Sequence, residues 1–143
     1  MEKSAGLVLT YNNMILLVHP TGALWKGTYS IPKGHVEKGE KYIDAAIREV
    51  KEEVGIKIDK DMIDESKINR IDYRNKKGKR YKVVYWWHVN LDNVFPQVIR
   101  HFFPTIPRKF LQLEEVDWAG FLELNVAKEK IFWRFKDMLE FIK

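Results

Sequence analysis

The sequence contains no cysteine, so neither a disulfide framework nor a zinc site built on thiolates is available to it. It also lacks internal repeats, low-complexity tracts and any apolar run long enough to cross a membrane. The first apolar run, residues 7–9, is too short for the hydrophobic region of a secretion signal. These absences exclude a disulfide-stapled fold and a helical membrane protein, and they favour a cytoplasmic location.

What the sequence does contain fits one small enzyme domain. Its 143 residues are 45% hydrophobic and 13% aromatic, which is enough to bury a sizeable core. We therefore predict a single domain over residues 1–143. The formal net charge of +5 favours a polyanionic ligand, either a nucleotide polyphosphate or RNA, without selecting between them.

Apolar segments bounded by turn residues predict six strands. Asn12 and Asn13 tolerate positive φ and predict a hairpin between the first two strands, and residues 75–79 predict a second hairpin between the fourth and fifth. The fifth strand carries apolar bulk on both faces, which indicates a sheet covered by helices on both sides. The predicted strands are residues 5–10, 14–19, 29–31, 68–74, 81–90 and 115–121.

Apolar residues spaced i, i+3, i+4, i+7 and i+11 from Ile43 predict a helix over Tyr42–Val54, and Gly55 supplies its stop. Residues 59–65 have room for one helical turn. Residues 91–112 contain three prolines and no clear periodicity, which predicts a long loop. A last helix is predicted over residues 126–141, with Asn125 as its cap.

Three acids on the first predicted helix carry the clearest chemical signal. Glu49, Glu52 and Glu53 fall within an arc of roughly 100° beside the apolar stripe, so their carboxylates are able to converge. Like charges this close repel one another, and acids near a helix C-terminus also oppose the macrodipole. A divalent cation would remove this penalty, and hard oxygen ligands suit Mg²⁺ or Mn²⁺.

The spacing of these acids resembles the signature of the Nudix (MutT-like) hydrolases. The signature requires Gly34, Glu40 after five residues and then, after seven more, the run from Arg48 to Ile56, and every specified position matches. The run from Pro32 to His35 is similar to the diadenosine tetraphosphate hydrolase branch, and residues 117–122 resemble that branch and nucleoside triphosphate pyrophosphohydrolases. The resemblance implies an α/β protein with the Nudix fold, a mixed β-sheet in an α/β/α sandwich.

The resemblance also implies roles for the residues of the signature. Glu49, Glu52 and Glu53 would bind the metal, with the backbone carbonyl of Lys33 or Gly34 as a further donor. Glu52 or Glu49 would take the proton from the attacking water. The remaining catalytic candidates are Arg48, expected to orient Glu49 or Glu52, and Glu40, which would either accept backbone N–H groups or pair with Arg48.

Other residues are candidates for substrate binding. Lys33 and His35 could meet phosphate, and Glu115 or Glu114 could add a remote acid, although each has a plain surface role as its alternative. Tyr81 could stack on a base, with a place in the core as its alternative. The other aromatic candidates are Tyr85, Trp87, Phe102 and Phe103, most of which must belong to the core. The histidines His19, His88 and His101 show no metal-ligand spacing, so a structural or exposed role is expected.

Together these features predict Mg²⁺-dependent hydrolysis of a diphosphate linkage in a nucleoside diphosphate-linked substrate, above all a dinucleoside polyphosphate or a nucleoside triphosphate. The predicted binding partner is thus a small nucleotide. No membrane partner is expected, and a nucleic acid is the less favoured alternative. One alternative is an RNA 5′ end, and another is a module that senses nucleotides without turnover. The RNA alternative depends on the basic residues of the second hairpin, which are Arg70, Arg74, Lys76, Lys77, Lys79, Arg80 and Lys82.

Overall fold

The computed structural model describes residues 1–94 and 100–142 and consists of a six-stranded sheet with helices on both faces. Two α-helices and three short 3₁₀ segments accompany the strands. The strands are β1 (Glu2–Tyr11), β2 (Met14–Pro20), β3 (Lys33–His35), β4 (Asn69–Arg74), β5 (Arg80–Asn90) and β6 (Val116–Glu123). The helices are α1 (Tyr42–Val54) and α2 (Leu124–Lys130), and the 3₁₀ segments are Lys60–Met62, Arg108–Phe110 and Trp133–Ile142.

β1 is the central strand of a mixed sheet whose order is β4-β5-β1-β2-β6. It runs parallel to β5 from Glu2, opposite Lys82, to Thr10, opposite Asn90. Its last residues form the antiparallel hairpin with β2, while its first half pairs antiparallel with β3. Because β3 is bonded to this strand, the segment that precedes α1 is anchored in the middle of the sheet.

The two faces of the sheet bury two separate cores. One core lies under α1, and the other lies under α2 and the C-terminal 3₁₀ segment. β5 contributes to both, because Trp87 and Val89 point towards α1 while Val84 and Trp86 point to the opposite face. The predicted α/β/α arrangement and mixed sheet are confirmed.

Local sequence signals gave the hairpins and α1 correctly. Asn12 and Asn13 have φ values of 49° and 64°, and they join β1 to β2. α1 spans Tyr42–Val54 as predicted, and it ends where Gly55 adopts φ 80° and donates its N–H to the carbonyl of Lys51. The predicted turn within residues 59–65 is the 3₁₀ segment Lys60–Met62.

The strand predicted over residues 29–31 is wrong. Tyr29 and Ser30 form only isolated bridges, with Ile131 and Val18, and the strand before α1 is β3, a few residues later. The later position depends on Gly6, because a Cβ atom there would fall 2.5 Å from the Pro32 carbonyl oxygen. A glycine in β1 therefore admits the incoming chain at a point that the local pattern of residues 29–31 does not reveal.

The single helix predicted over residues 126–141 is also wrong. α2 already ends at Lys130, and Ile131 is extended with φ −72° and ψ 144°. The backbone of Tyr29 accounts for the break, since it donates to the Lys130 carbonyl at 3.0 Å and accepts the Phe132 N–H at 2.8 Å. Asn125 lies inside α2, whose N-cap is Glu123. Pairing with a distant segment thus overrides a helical pattern.

The predicted loop over residues 91–112 is only partly described, and Pro96 lies outside the described residues. Its described part contains the 3₁₀ segment Arg108–Phe110 and one bridge between Thr105 and Gly120. In the described ranges, no helix has the length and apolar character needed to cross a membrane.

Candidate active site

Arg48 is the centre of a hydrogen-bond network that joins α1 to the segment before it. Its Nε and Nη2 donate to the two carboxylate oxygens of Glu40 at 2.9 and 3.0 Å. Nη1 donates to Glu49 at 2.9 Å and to Glu52 at 3.2 Å, and Nη2 also donates to the backbone carbonyl of His35 at 3.0 Å. One planar guanidinium therefore positions three carboxylates and the carbonyl at the end of β3.

Glu40 makes both of the contacts that were predicted as alternatives, the pair with Arg48 and the acceptance of a backbone N–H group. Its carboxylate pairs with Arg48, and one of its oxygens accepts the backbone N–H of Glu37 at 3.0 Å. The hydrogen bonds from Arg48 hold the pKa of Glu40 below its usual value, and the same bonds raise the pKa of Arg48. In this structure Glu40 contacts the acids of α1 through Arg48.

Glu49 lies directly against the backbone of Gly34. A Cβ atom built on Gly34 would fall 2.1 Å from Glu49 Oε2, so only glycine leaves room for the carboxylate in this position. The Glu49 side chain is 13% exposed, and burial raises its pKa although the bond from Arg48 opposes the rise. The glycine of the signature is thus required by the space that this acid occupies.

Glu53 is the most buried acid on α1, with 6% of its surface exposed. Burial raises its pKa to about 8, and the nearby charge of Glu49 adds to the rise. Lys33 opposes the rise through the charge of its ammonium and a hydrogen bond from its backbone N–H. Ionising Glu53 therefore costs free energy that a cation beside it would offset.

Glu52 is the exposed acid of the three, with 45% of its side chain exposed. Glu49 and Glu52 are both bonded to Arg48, whereas Glu53 is next to Lys33. Within residues 1–94 and 100–142, no three side chains of metal-binding types form a ready cation site. The carboxylates are neighbours on one helix, but basic residues engage them.

Glu115 faces Glu53 across a small cavity of about 110 Å³. Both residues line it together with Lys33 and Ser30. After burial and the charge of Glu49, the charge of Glu115 is a further cause of the raised pKa of Glu53. Of the two acids before β6, it is therefore Glu115 that reaches the site.

Lys33 is packed among other charged groups. Burial lowers the pKa of its ammonium, and repulsion from Lys82 lowers it further, while Glu53 acts in the opposite direction. Lys82 was missing from the substrate-binding residues predicted from the sequence. Its signal is the register of β5, which places it opposite Glu2 on the central strand. The two lysines bring positive charge to the edge of the acid cluster.

His35 and Tyr81 contribute less to this site than Lys33. The imidazole of His35 is on the surface, 3.5 Å from the Glu2 carboxylate, and only its backbone carbonyl joins the Arg48 network. Tyr81 is 47% exposed and packs edge-to-face with Tyr73. Among the described contacts, Tyr81 has none with the acids of α1.

Of the three histidines outside the signature region, His19 and His88 have structural surroundings and His101 is exposed. His19 is fully buried, with its ring nitrogens 2.5 Å from Asp117 and 2.9 Å from the Leu24 carbonyl, and its ring stacks on Trp25. His88 is bonded to the hydroxyl of Thr10. The aromatic candidates that pack against the core under α1 are Tyr85, Trp87, Phe102 and Phe103.

Replacing Gly34 with alanine is expected to lower turnover by about 10²-fold with a small cost in stability. The new Cβ meets the end of the Glu49 side chain, which moves aside and takes the carboxylate out of position. Initial rates and thermal unfolding measure the two effects.

Gly6→Ala is the matched control, because its Cβ would meet the Pro32 backbone and so lower stability more. Gly34→Ala combined with Glu49→Ala should be no slower than Glu49→Ala alone. Additive losses in the double variant would contradict the role assigned to Gly34.

The fold and the site together define an α/β domain in which the acids of α1 lie beside Gly34, and Arg48 joins α1 to the segment before it. The family model for the NUDIX domain matches residues 2–137, and the chain belongs to the Nudix hydrolase family. The signature residues described above lie within the matched region.

One curated relative matches most of this chain over a small part of its own length. The m7GpppN-mRNA hydrolase of Saccharomyces cerevisiae is 33% identical over 117 residues, which are 81% of this chain and 10% of the relative. The chain thus spans about a tenth of the length of this curated relative.

Solved structures match along nearly the whole chain. The Ap4A hydrolase of C. elegans, in a binary complex, is 30% identical with a TM-score of 0.70, covering 98% of this chain and 93% of that one. The MutT NUDIX hydrolase of Burkholderia pseudomallei has a TM-score of 0.69 and covers 99% and 98%, but at 18% identity it shows the fold alone.

Proposed function

We propose that this protein hydrolyses a diphosphate linkage in a nucleoside diphosphate-linked substrate, with Mg²⁺ or Mn²⁺ as its cofactor. The observation that carries the proposal is the buried Glu53 beside Glu49 and Glu52, on a helix that Arg48 joins to the glycine segment. A cytoplasmic location and action as a single domain belong to the same proposal.

The side chains present fit a divalent cation. Glu49, Glu52 and Glu53 offer hard carboxylate oxygens, and the carbonyls of Lys33 and Gly34 are the candidate backbone donors. Gly34 leaves the space that brings the Glu49 carboxylate against the loop. When bound, Mg²⁺ or Mn²⁺ supplies neutralisation of phosphate charge and polarisation of water.

The chain's own residues perform the remaining tasks. Arg48 holds Glu49 and Glu52 in one orientation, and either carboxylate is then able to accept the proton of the attacking water. Lys33 and Lys82 place positive charge where an anionic substrate approaches. Glu115 adds a further acid beside Glu53 from the other side of the small cavity.

A dinucleoside polyphosphate is the preferred substrate, with a nucleoside triphosphate next. The similarity to the C. elegans Ap4A hydrolase extends over 98% of this chain, and it supports the first choice. The match between residues 32–35 and the diadenosine tetraphosphate hydrolase branch points the same way.

An RNA 5′ end is a second candidate, which the 33% identity to the yeast m7GpppN-mRNA hydrolase favours. The β4–β5 hairpin adds positive charge, but part of this charge is neutralised. Asp72 forms ion pairs with Arg70, Arg74 and Arg80. The charge left for RNA is therefore smaller than the sequence implies.

One experiment separates the two candidates. The protein is incubated with Mg²⁺ and either diadenosine tetraphosphate, nucleoside triphosphates or capped and triphosphorylated RNA, and the products are identified by mass spectrometry across a salt series. We expect rapid, EDTA-sensitive cleavage of the dinucleotide with a weak dependence on salt, because few phosphates are bound.

Faster cleavage of RNA, lost steeply as salt rises, would replace the first candidate with the second. Metal-dependent binding of nucleotides with no product from any substrate would instead identify a sensing module and contradict hydrolysis.

A further inference from the structure

A cavity of about 700 Å³ lies on the sheet face opposite α1, between β4 and the C-terminal 3₁₀ segment. Its lining includes Trp86 from β5 and Trp133 and Phe141 from the 3₁₀ segment. None of the acids of α1 is among its lining residues. Its volume is that of a pocket for a small organic ligand.

Trp86 lines this cavity and carries an unused hydrogen-bond donor. The side chain is 2% exposed, and its Nε1–H is the buried side-chain group without a hydrogen-bond partner among the described residues. Buried indole N–H groups normally find an acceptor, because leaving one unpaired costs free energy. Phe141 packs edge-on against this ring, with 5.8 Å between the two ring centroids, and its side chain is 67% exposed.

The charges around the cavity favour an anion. Arg134 and Lys136 both line it, and neither belongs to an ion pair among the described residues. Asp72, on the other side, is already engaged by arginines. Asp137 is the remaining acid of the lining, so the free cations outnumber the free anion.

The aromatic lining favours a flat ring beside the anion. Trp133 is 62% exposed, and the Arg134 guanidinium lies over its ring with 4.4 Å between Cζ and the centroid. Exposed aromatic rings of this kind are stacking platforms for nucleobases. We propose that this cavity is a second nucleotide site, which binds the base against Trp133 and Phe141 and the phosphate at Arg134 and Lys136.

Binding of AMP to ¹⁵N-labelled protein tests the proposal, with Glu53→Gln as the background and EDTA present. We expect a saturable shift of the Trp86 indole N–H signal, which is assigned by its loss in Trp86→Phe. Trp133→Ala should weaken AMP binding about 5- to 150-fold, the range for one lost base stack. Lys136→Ala should weaken AMP and spare adenosine.

Lys128→Ala, an exposed change on α2 outside the cavity, is the matched control and should leave AMP affinity unchanged. Inorganic phosphate, which lacks the base, should bind far more weakly than AMP. AMP binding that is insensitive to Trp133→Ala, or that leaves the Trp86 signal in place, would overturn the proposal. Because these measurements require no turnover, they are independent of the hydrolytic function.

Discussion

Replacing Glu52 with glutamine is expected to lower kcat by about 10²- to 10⁴-fold, the usual range for losing a positioned acid or base. Glutamine keeps the size of the side chain but neither binds a cation as a carboxylate does nor accepts a proton. The side chain is 45% exposed, so the loss of its charge should change the free energy of unfolding little. Initial rates with saturating Mg²⁺ and thermal unfolding give the two quantities.

Glu129→Gln is the matched control, because Glu129 is an exposed acid on α2, on the other face of the sheet. It should retain full activity. If Glu52→Gln were as active as this control, the carboxylate would have no part in the chemistry and the proposed mechanism would fail.

Replacing Glu53 with glutamine is expected to change activity and stability in opposite directions. Turnover should fall by orders of magnitude, because the buried carboxylate is a proposed metal ligand. The metal-free variant, however, should become more stable than the unmodified protein as pH rises from 4.5 to about 8. Burial raises the pKa of Glu53 to about 8, so above that pH the native state holds an unfavourable charge that glutamine removes.

The direction of the change in stability with pH follows from the protons that the folded and unfolded states bind. Between the ordinary pKa of 4.5 and about 8, folded Glu53 keeps a proton that the unfolded chain releases, so stability falls as pH rises through this window. Each unit of pKa shift corresponds to about 1.4 kcal/mol, which makes the loss a few kcal/mol by pH 8. Urea unfolding in EDTA at pH 5 and pH 9 should show the variant gaining stability over the unmodified protein only at the higher pH.

Mg²⁺ should reverse the order at pH 9, since it stabilises the protein that retains Glu53 and not the variant. Glu129→Gln should track the unmodified protein at both pH values. A stability difference between the Glu53→Gln variant and the unmodified protein that does not change with pH would contradict the assigned burial of the charge.

The sequence predicted those parts of the fold whose causes are local. α1 was predicted to the residue because its apolar stripe and the stop at Gly55 lie within one segment. The strand at residues 29–31 and the helix over residues 126–141 were wrong for a shared reason. Tyr29 and Ile131 pair with each other across about 100 residues, and neither segment encodes that contact by itself.

In the candidate site, too, features with local causes were predictable from the sequence and features that depend on distant contacts were not. The spacing of Glu49, Glu52 and Glu53 gave their common helix face, but their unequal burial depends on residues that are distant in the sequence. Glu53 lies beside Lys33 and Glu115 and is buried, whereas Glu52 is left near solvent. Lys82 reaches Lys33 only through the parallel register of β1 and β5, which no local pattern specifies.

The central position of β1 also dictates when the protein is able to fold. β1 is made before the other strands of the sheet, and its parallel partner β5 follows it by about 80 residues of chain. Until β5 leaves the ribosome, one edge of the apolar β1 strand has no neighbour to pair with. Pairing along this edge of β1 therefore waits for β5, and chains that stop before β5 are the species most prone to aggregate.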